Sequence, residues 1–336
     1  MSYQLRTDRR KRTLSDWPNV IITITAGLLC WGLGYYHSLG YPLTVNDVVL
    51  PFWEKVCAWP VPRVVYYVAG LLFIVLIAFV IQRISDIERL IEERTRLAFL
   101  FFFMLMSTQT GLPALSATTI VLVCLVFMLY ELFKAYQLPE ATGTLFNVGV
   151  LIGFAGLWMP QVLWLTPLIW IGMYQFQALT TRSLIASLIG ILITYWFVLA
   201  WCIWAHDFLI FKSLYSSLTD FDFFSIIRSF RYHHLGFILI VFLLFAAFFH
   251  LKTDAISNRV RVRILLSFLL NMSLWVLGLI SVFGRSTDSF LAVLFLPVSV
   301  LMAYFFESMH KRIRFVLYYF VLLLSVLSFL LRLWIF

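Results

Sequence analysis

The stretch Leu145–Met173, LFNVGVLIGFAGLWMPQVLWLTPLIWIGM, decides the fold class of this chain. It contains no charged residue, and it exceeds the roughly 20 apolar residues that cross a bilayer once. Met159–Gln161 interrupts it near the middle, because proline breaks a helix and favours a turn. The stretch therefore predicts a hairpin of two membrane-spanning helices over residues 144–158 and 162–178.

The composition of the whole chain agrees with this hairpin. The 336 residues are 62% hydrophobic and only 12% charged, whereas soluble domains average about 25% charged residues. The chain also has 12 Trp, 15 Tyr and 34 Phe. Aromatic residues cover lipid-facing surfaces, and Trp and Tyr anchor helices at the membrane interfaces. The bilayer is therefore the expected solvent for most of the chain.

Small residues recur at a spacing that lets helices approach closely. Gly149 and Gly153 form a GxxxG motif, and Ala186 and Gly190 repeat the spacing in a later apolar run. Such pairs serve dimers or contacts inside one bundle. We interpret both pairs as internal helix packing.

Apolar runs along the chain predict an all-α polytopic transmembrane bundle of about 11 spans. The predicted spans are 19–36, 61–82, 97–108, 116–133, 144–158, 162–178, 184–205, 236–250, 264–283, 290–306 and 315–334. The third and fourth are short and flank TQTGLP (Thr108–Pro113), which is compatible with two short spans or with non-helical backbone inside the membrane. We favour two short spans, because a re-entrant element would spoil the charge distribution described next.

The placement of basic residues predicts the orientation. With a cytoplasmic N-terminus, most of the 25 Lys and Arg lie on the inner side, as the positive-inside rule requires. Residues 1–18 form a basic cytoplasmic arm, and residues 19–336 form one transmembrane domain with an outer-face loop at 206–234. The predicted localisation is the cell inner (plasma) membrane. The basic residues left on the outer side are Lys55, Arg63, Lys212, Arg228, Arg231, Arg285 and Arg332.

The outer loop 206–234 is the first candidate for a functional site, because charged residues crowd there between two apolar runs. Arginine forks suit phosphate recognition, histidines transfer protons near neutral pH, and aspartates act as bases or hold divalent ions. Together with the GRSTDS turn (284–289), the loop predicts a substrate-binding site. Its candidate residues are Arg228, Arg231, Arg285, His233, His234, Asp207, Asp220 and Asp222.

A purely structural interpretation of the same residues stays open. Asp220 and Asp222 would then cap a short interfacial helix, and Arg228 and Arg231 would pair with them or with lipid phosphates. No metal site and no cofactor are predicted, because no ligand spacing, P-loop, dinucleotide or nucleophile motif is present. The four cysteines form no CxxC pair, and we expect them to be free.

Two stretches carry a resemblance to known proteins. The Leu145–Met173 hairpin and RSLIASLIGILITYWFVL (Arg182–Leu199) resemble an uncharacterised family of bacterial inner-membrane proteins, over about half the chain. That family implies the location but no established activity. The layout also resembles the O-antigen polymerase and ligase group, which implies undecaprenyl-linked sugars as substrates. The chain lacks their large outer loop, so no catalytic residue is transferred.

These features leave three hypotheses for function. The first is a cell-envelope assembly protein that handles a lipid-linked glycan or a phospholipid at the outer leaflet, as an enzyme or as a carrier. The second is a non-catalytic scaffold or assembly partner. The third is a solute transporter with a polar path around Asn147 and Asn271. The expected partners are membrane lipids, a lipid-linked phosphate substrate and a membrane protein partner, with no nucleic acid.

Overall fold

The computed structural model describes residues 17–39, 62–91, 95–109, 114–138, 141–206, 208–222, 241, 244, 245, 260–309 and 311–335. Within these ranges the protein is helical, with one isolated backbone bridge in place of any strand. The helices are α1 (Trp17–Ser38), α2 (Arg63–Ile87), α3 (Leu97–Ser107), α4 (Ala117–Lys134), α5 (Thr142–Trp158), α6 (Thr166–Gln175), α7 (Thr181–Ala205), α8 (Leu209–Thr219), α9 (Val260–Val282), α10 (Thr287–Ser308) and α11 (Lys311–Ile335). Short 3₁₀ segments cover Pro160–Leu165 and Gly284–Ser286.

Seven of the described helices are long and apolar enough to cross a membrane: α1, α2, α4, α7, α9, α10 and α11. Helices α3 and α5 are apolar but shorter. Each predicted span within the described ranges overlaps a helix, although the span 162–178 is divided between the 3₁₀ segment Pro160–Leu165 and the ten-residue helix α6. The predicted span 236–250 lies mostly outside the described ranges. The all-helical membrane bundle is thus confirmed, and the count of 11 spans and the cytoplasmic N-terminus stay predictions.

One end of the bundle, which we call the basic end, gathers the connections rich in Lys and Arg. The Arg261 guanidinium, at the start of α9, lies 2.6 Å from the Glu88 carboxylate after α2 and over the Tyr136 ring after α4. The Gln137 backbone N–H donates to the Phe176 carbonyl after α6. Arg96, just before α3, lies over the ring of Trp17 at the start of α1.

The other end of the bundle, which we call the aromatic end, gathers Trp164, Trp204, Phe208, Tyr215, Phe221 and Phe283. Contacts tie its connections together as well. The Leu115 N–H donates to the Tyr66 carbonyl near the start of α2. The hydroxyls of Thr118 and Ser289 are 3.0 Å apart and join the starts of α4 and α10.

Helix α10 is the centre of the bundle, since all of its residues from Ser289 to Phe306 are buried. It packs between α9 and α3, and the ring of Phe101 on α3 makes a tilted contact with Phe306 and an edge-on contact with Tyr318. Pro297 lies inside α10; proline is tolerated in membrane helices when neighbouring groups satisfy the freed carbonyl. Among the described helices, the centre of the bundle is therefore filled by apolar side chains.

Helix α3 crosses only part of the membrane. It starts at the basic end, where the Phe99 N–H donates to the Gln82 side-chain oxygen, and it ends at Ser107. At 1.5 Å per residue, Ser107 lies only about 9 Å beyond the Phe101–Phe306 contact, close to the middle of α10. Helix α4 then starts at the aromatic end.

The parts of the connection between α3 and α4 that the structure describes, residues 108–109 and 114–116, are not helical. Thr108 and Gln109 are buried, and residues 114–116 are half-buried. Non-helical backbone at membrane depth is stable when protein encloses it. The predicted short span 97–108 agrees with α3 (Leu97–Ser107), and the predicted span 116–133 agrees with α4. The choice of two short spans over a re-entrant element stays a prediction.

The small residues hold α5 against α7. A Cβ on Gly149 would lie 2.1 Å from the Ser187 carbonyl oxygen, and a Cβ on Gly190 would lie 2.4 Å from the Phe146 carbonyl oxygen. A Cβ on Gly153 would meet the Thr194 side chain. The prediction of internal packing through these motifs is confirmed.

Candidate functional site at the aromatic end

The candidate site begins where α7 ends at the aromatic end. His206 adopts the left-handed conformation (φ 51°, ψ 28°), and its N–H closes the helix on Cys202 and Ile203. A left-handed residue at this position is a common way to stop a helix and redirect the chain. The chain turns there into α8, which the sequence analysis had assigned to the loop 206–234.

Helix α8 is short and amphipathic. Leu214 is buried and Phe211 half-buried against a small apolar cluster with Cys202, Trp158, Tyr195 and Val198. The opposite face exposes Lys212, Tyr215, Ser216 and Thr219. A helix with one apolar face and one polar face is typical of the membrane interface. The spacing of Phe211, Leu214 and Leu218 is the sequence signal that could have predicted it.

Aromatic contacts fix the far end of α8. The Trp164 indole N–H donates to the Leu218 carbonyl at 3.4 Å, and the Trp164 carbonyl accepts the indole N–H of Trp275 at 2.9 Å. The Phe221 ring contacts Trp164 and Phe283, with centroids 5.9 and 5.4 Å apart. The α8 segment is thereby held against the 3₁₀ segment Pro160–Leu165 and the end of α9.

The same segment pairs with the turn that precedes α10. The Asp222 N–H donates to the Val282 carbonyl at 2.9 Å, in an isolated parallel bridge with Phe283. Asp220 is exposed and Asp222 is half-buried. Gly284–Ser286 follows Phe283 directly, so the backbone of Arg285 lies two residues from the residue that pairs with Asp222.

The structure describes only some of the predicted site residues. Asp220 and Asp222 lie at the aromatic end beside the turn of Arg285, for which the backbone alone is described. Asp207, Arg228, Arg231, His233 and His234 lie outside the described residues. The convergence of the three arginines on one cavity therefore stays a prediction. In the described part of the chain no three His, Cys, Asp or Glu side chains gather. Among the described cysteines, Cys30, Cys124 and Cys202 are buried and form no disulfide with one another.

A groove of about 470 Å³ lies between α7 and α8. Its walls are almost wholly apolar, and it opens to the surface of the bundle that faces the membrane. Sequence reasoning missed it, because it depends on where Phe211 of α8 packs against Tyr195 and Val198 of α7. The residues that line it include Ile189, Leu192, Ile193, Trp196, Leu199 and Phe211.

Among the described residues, no polar path joins Asn147 and Asn271, the two asparagines proposed for transport. Asn147 is exposed on the surface of α5, and Asn271 is half-exposed on α9. Between the described helices the interior is filled by side chains such as Phe101, Phe295 and Phe306. The hypothesis of a polar path around Asn147 and Asn271 is not supported by this arrangement.

A second polar cluster lies at the basic end and had no sequence signal. The Glu88 carboxylate is almost fully buried beneath the Arg261 guanidinium, which lies 5.3 Å from the Tyr136 ring centroid. Burial raises the pKa of the Glu88 carboxyl above its ordinary value of 4.5, and the charge of Arg261 limits that rise. The cluster joins α2, α4 and α9, which is a structural role.

The seven apolar helices and the two polar ends define a multi-pass helical membrane protein. Comparison with family models, with curated proteins and with solved structures found no match.

Proposed function

We propose that this membrane protein acts in cell-envelope assembly at the inner membrane, where it handles a lipid-linked glycan or a phospholipid at the aromatic end. The observation that carries the proposal is the backbone pairing of Asp222 with Phe283. It holds the polar segment after α8 beside the turn of Arg285. Arg285 is one of the few basic residues that run against the charge bias of membrane insertion.

The position of this junction supports a lipid substrate. It lies at the aromatic end, next to an amphipathic helix and to Trp and Tyr side chains that favour the headgroup region. An arginine at this level meets lipid phosphates, which it binds through paired hydrogen bonds. Aspartates beside it provide carboxylates that can accept a proton or hold a divalent ion.

The test replaces the charges one at a time and measures function in the cell. Arg285→Gln and Asp222→Asn are introduced into the chromosomal gene, and the lipid-linked glycans and phospholipids of the envelope are quantified against a deletion strain. We expect both variants to insert normally and to reproduce the lipid changes of the deletion. Arg182→Gln is the matched control, because Arg182 is exposed at the basic end. If both site variants restore the wild-type lipids fully, the proposal fails.

A second candidate function is a membrane scaffold, and the exposed face of α7 favours it. Trp196, Phe197, Trp201 and Trp204 are all at least half exposed on that helix, which packs mainly on α5. Aromatic residues are enriched in protein interfaces. Crosslinking in native membranes, followed by purification, tests this candidate: a partner in fixed stoichiometry that is lost in Phe197→Ala supports it, and recovery of the protein alone opposes it.

A further inference from the structure

The groove between α7 and α8 has the shape of a binding site for one lipid chain. Ile189 and Leu199 mark its two ends along α7. Ten residues of helix span about 15 Å, which is half of the roughly 30 Å hydrocarbon core. The middle of α7 lies at Ile193, so the groove extends four residues to one side of it and six residues toward the aromatic end. It therefore follows the central part of α7 and reaches further toward the aromatic end.

Polar side chains lie near the groove toward the aromatic end, whereas its walls are apolar. Phe211 of α8 lines the groove beside Tyr195 and Val198, and Lys212, the next residue, is exposed. His206, also exposed, lies at the turn between the two helices. A basic side chain at this level complements a lipid phosphate, and Lys212 lies on the side of the membrane that the charge bias otherwise depletes of Lys and Arg.

We propose that a phospholipid of the leaflet at the aromatic end docks one acyl chain in the α7–α8 groove and places its phosphate beside Lys212. The inference rests on the proposed function, because it names the phospholipid as the lipid that the aromatic end handles. The length of the groove favours an acyl chain over a polyprenyl chain, since a long polyprenyl carrier would extend far beyond about 15 Å.

Photo-crosslinking of the full chain in nanodiscs tests the proposal. The nanodiscs consist of phosphatidylcholine with a trace of phosphatidylglycerol that carries a diazirine in one acyl chain, and the labelled peptides are quantified by mass spectrometry. We expect the label to concentrate severalfold on residues 189–199 and 209–219 relative to α2. Label spread evenly over the exposed faces of α1, α2, α7 and α11 would mean ordinary boundary lipid and would overturn the proposal.

A matched pair of variants tests whether the groove itself binds the chain. Leu192→Trp fills the groove and should reduce the α7 and α8 label severalfold. Leu72→Trp is the control, because Leu72 on α2 and Leu192 on α7 are both 64% exposed and Leu72 is not among the residues that line the α7–α8 groove. Equal labelling of Leu192→Trp and the wild type would overturn the proposal. Circular dichroism confirms that both variants stay folded.

Competition experiments distinguish the candidate lipids in the groove. Together with the envelope-lipid test, they also distinguish failure of this inference from failure of the proposed function. Unlabelled phosphatidylglycerol should compete with the probe, and diacylglycerol, which lacks the phosphate, should compete severalfold less well. Lys212→Gln should remove that difference. Competition by polyprenyl phosphate in place of phosphatidylglycerol would overturn the acyl-chain occupant and leave the proposed function standing. Full restoration of envelope lipids by Arg285→Gln and Asp222→Asn would instead overturn the proposed function.

Discussion

Gly149 lies so close to Ser187 that a Cβ at position 149 would be 2.1 Å from the Ser187 carbonyl oxygen. A backbone oxygen cannot turn away as a side chain can, so α5 and α7 would have to separate. Alanine normally stabilises a helix interior relative to glycine by about 1 kcal/mol. Here we expect Gly149→Ala to lower the free energy of unfolding by roughly 1–3 kcal/mol through overpacking.

Thermal unfolding of the purified protein in detergent measures this effect. Gly143→Ala is the control on the same helix, since no atom lies within 4 Å of a Cβ built there. We expect that variant to be neutral or slightly more stable. A Gly149→Ala variant as stable as Gly143→Ala would contradict the close helix contact.

The Glu88–Arg261 pair predicts a pH dependence of stability. Because burial raises the folded-state pKa of Glu88 above 4.5, the folded protein holds this proton more tightly than the unfolded chain. The contribution of Glu88 to stability is therefore fully present below pH 4.5 and is lost as the pH rises through the folded-state pKa. Relative to Glu88→Gln, the wild type should become more stable as the pH is lowered toward 4.5.

Removing the partner should strengthen that trend. Arg261→Gln leaves a buried carboxylate without its counter-charge, which raises the pKa of Glu88 further. We expect a loss of about 1–3 kcal/mol at neutral pH, which shrinks in acid as the carboxyl takes up a proton. Unfolding midpoints across the pH range measure both effects. A pH-independent difference between wild type and Glu88→Gln would contradict the buried carboxylate.

The two ends of the bundle predict a labelling pattern. In a background without the four native cysteines, Asp220→Cys and Arg182→Cys place single exposed thiols at the aromatic and the basic end. If the basic end is cytoplasmic, as the positive-inside rule predicts, an impermeant maleimide labels Asp220→Cys in spheroplasts and labels Arg182→Cys only after permeabilisation. The reverse pattern would invert the orientation, and labelling of both positions from one side would contradict the two-ended bundle.

Hydropathy predicted where most helices lie, because an apolar run is recognisable from its composition alone, whatever surrounds it in the structure. The predicted span 19–36 became α1 (Trp17–Ser38), and the break at Met159–Gln161 became the start of a 3₁₀ segment. The predicted span 97–108 likewise became α3 (Leu97–Ser107), but hydropathy could not predict that protein encloses nearly every residue of that helix. Hydropathy does not distinguish burial in protein from burial in lipid.

The candidate site was predictable only as a region. The crowding of charges marked residues 206–234, and the charge bias placed Asp222 and the turn of Arg285 at the same end of the bundle. The pairing of Asp222 with Phe283, and of Glu88 with Arg261, joins residues far apart in the chain. A single sequence carries no signal for such pairs, because each depends on the packing of α9 against the rest of the bundle.

The ring of Phe221 is expected to hold Asp222 in place. It lies between Trp164 and Phe283, and such aromatic pairs each contribute about 0.5–1.5 kcal/mol beyond their buried area. In Phe221→Ala both contacts are lost, so the Asp222 N–H should release the Val282 carbonyl more often. Since 1.4 kcal/mol corresponds to a factor of ten, we expect the Asp222 amide to exchange hydrogen roughly tenfold faster.

Hydrogen exchange read by mass spectrometry measures this on peptides that cover Asp222 and, separately, residues 281–286. Phe208→Ala serves as the control. Phe208 is also an exposed aromatic residue, but it lies directly before α8, whereas Phe221 follows that helix. We expect it to leave the exchange of Asp222 unchanged. Equal exchange in Phe221→Ala and the wild type would mean that the backbone bridge holds Asp222 without the ring. The backbone bridge to Phe283 would then account for the position of Asp222 by itself.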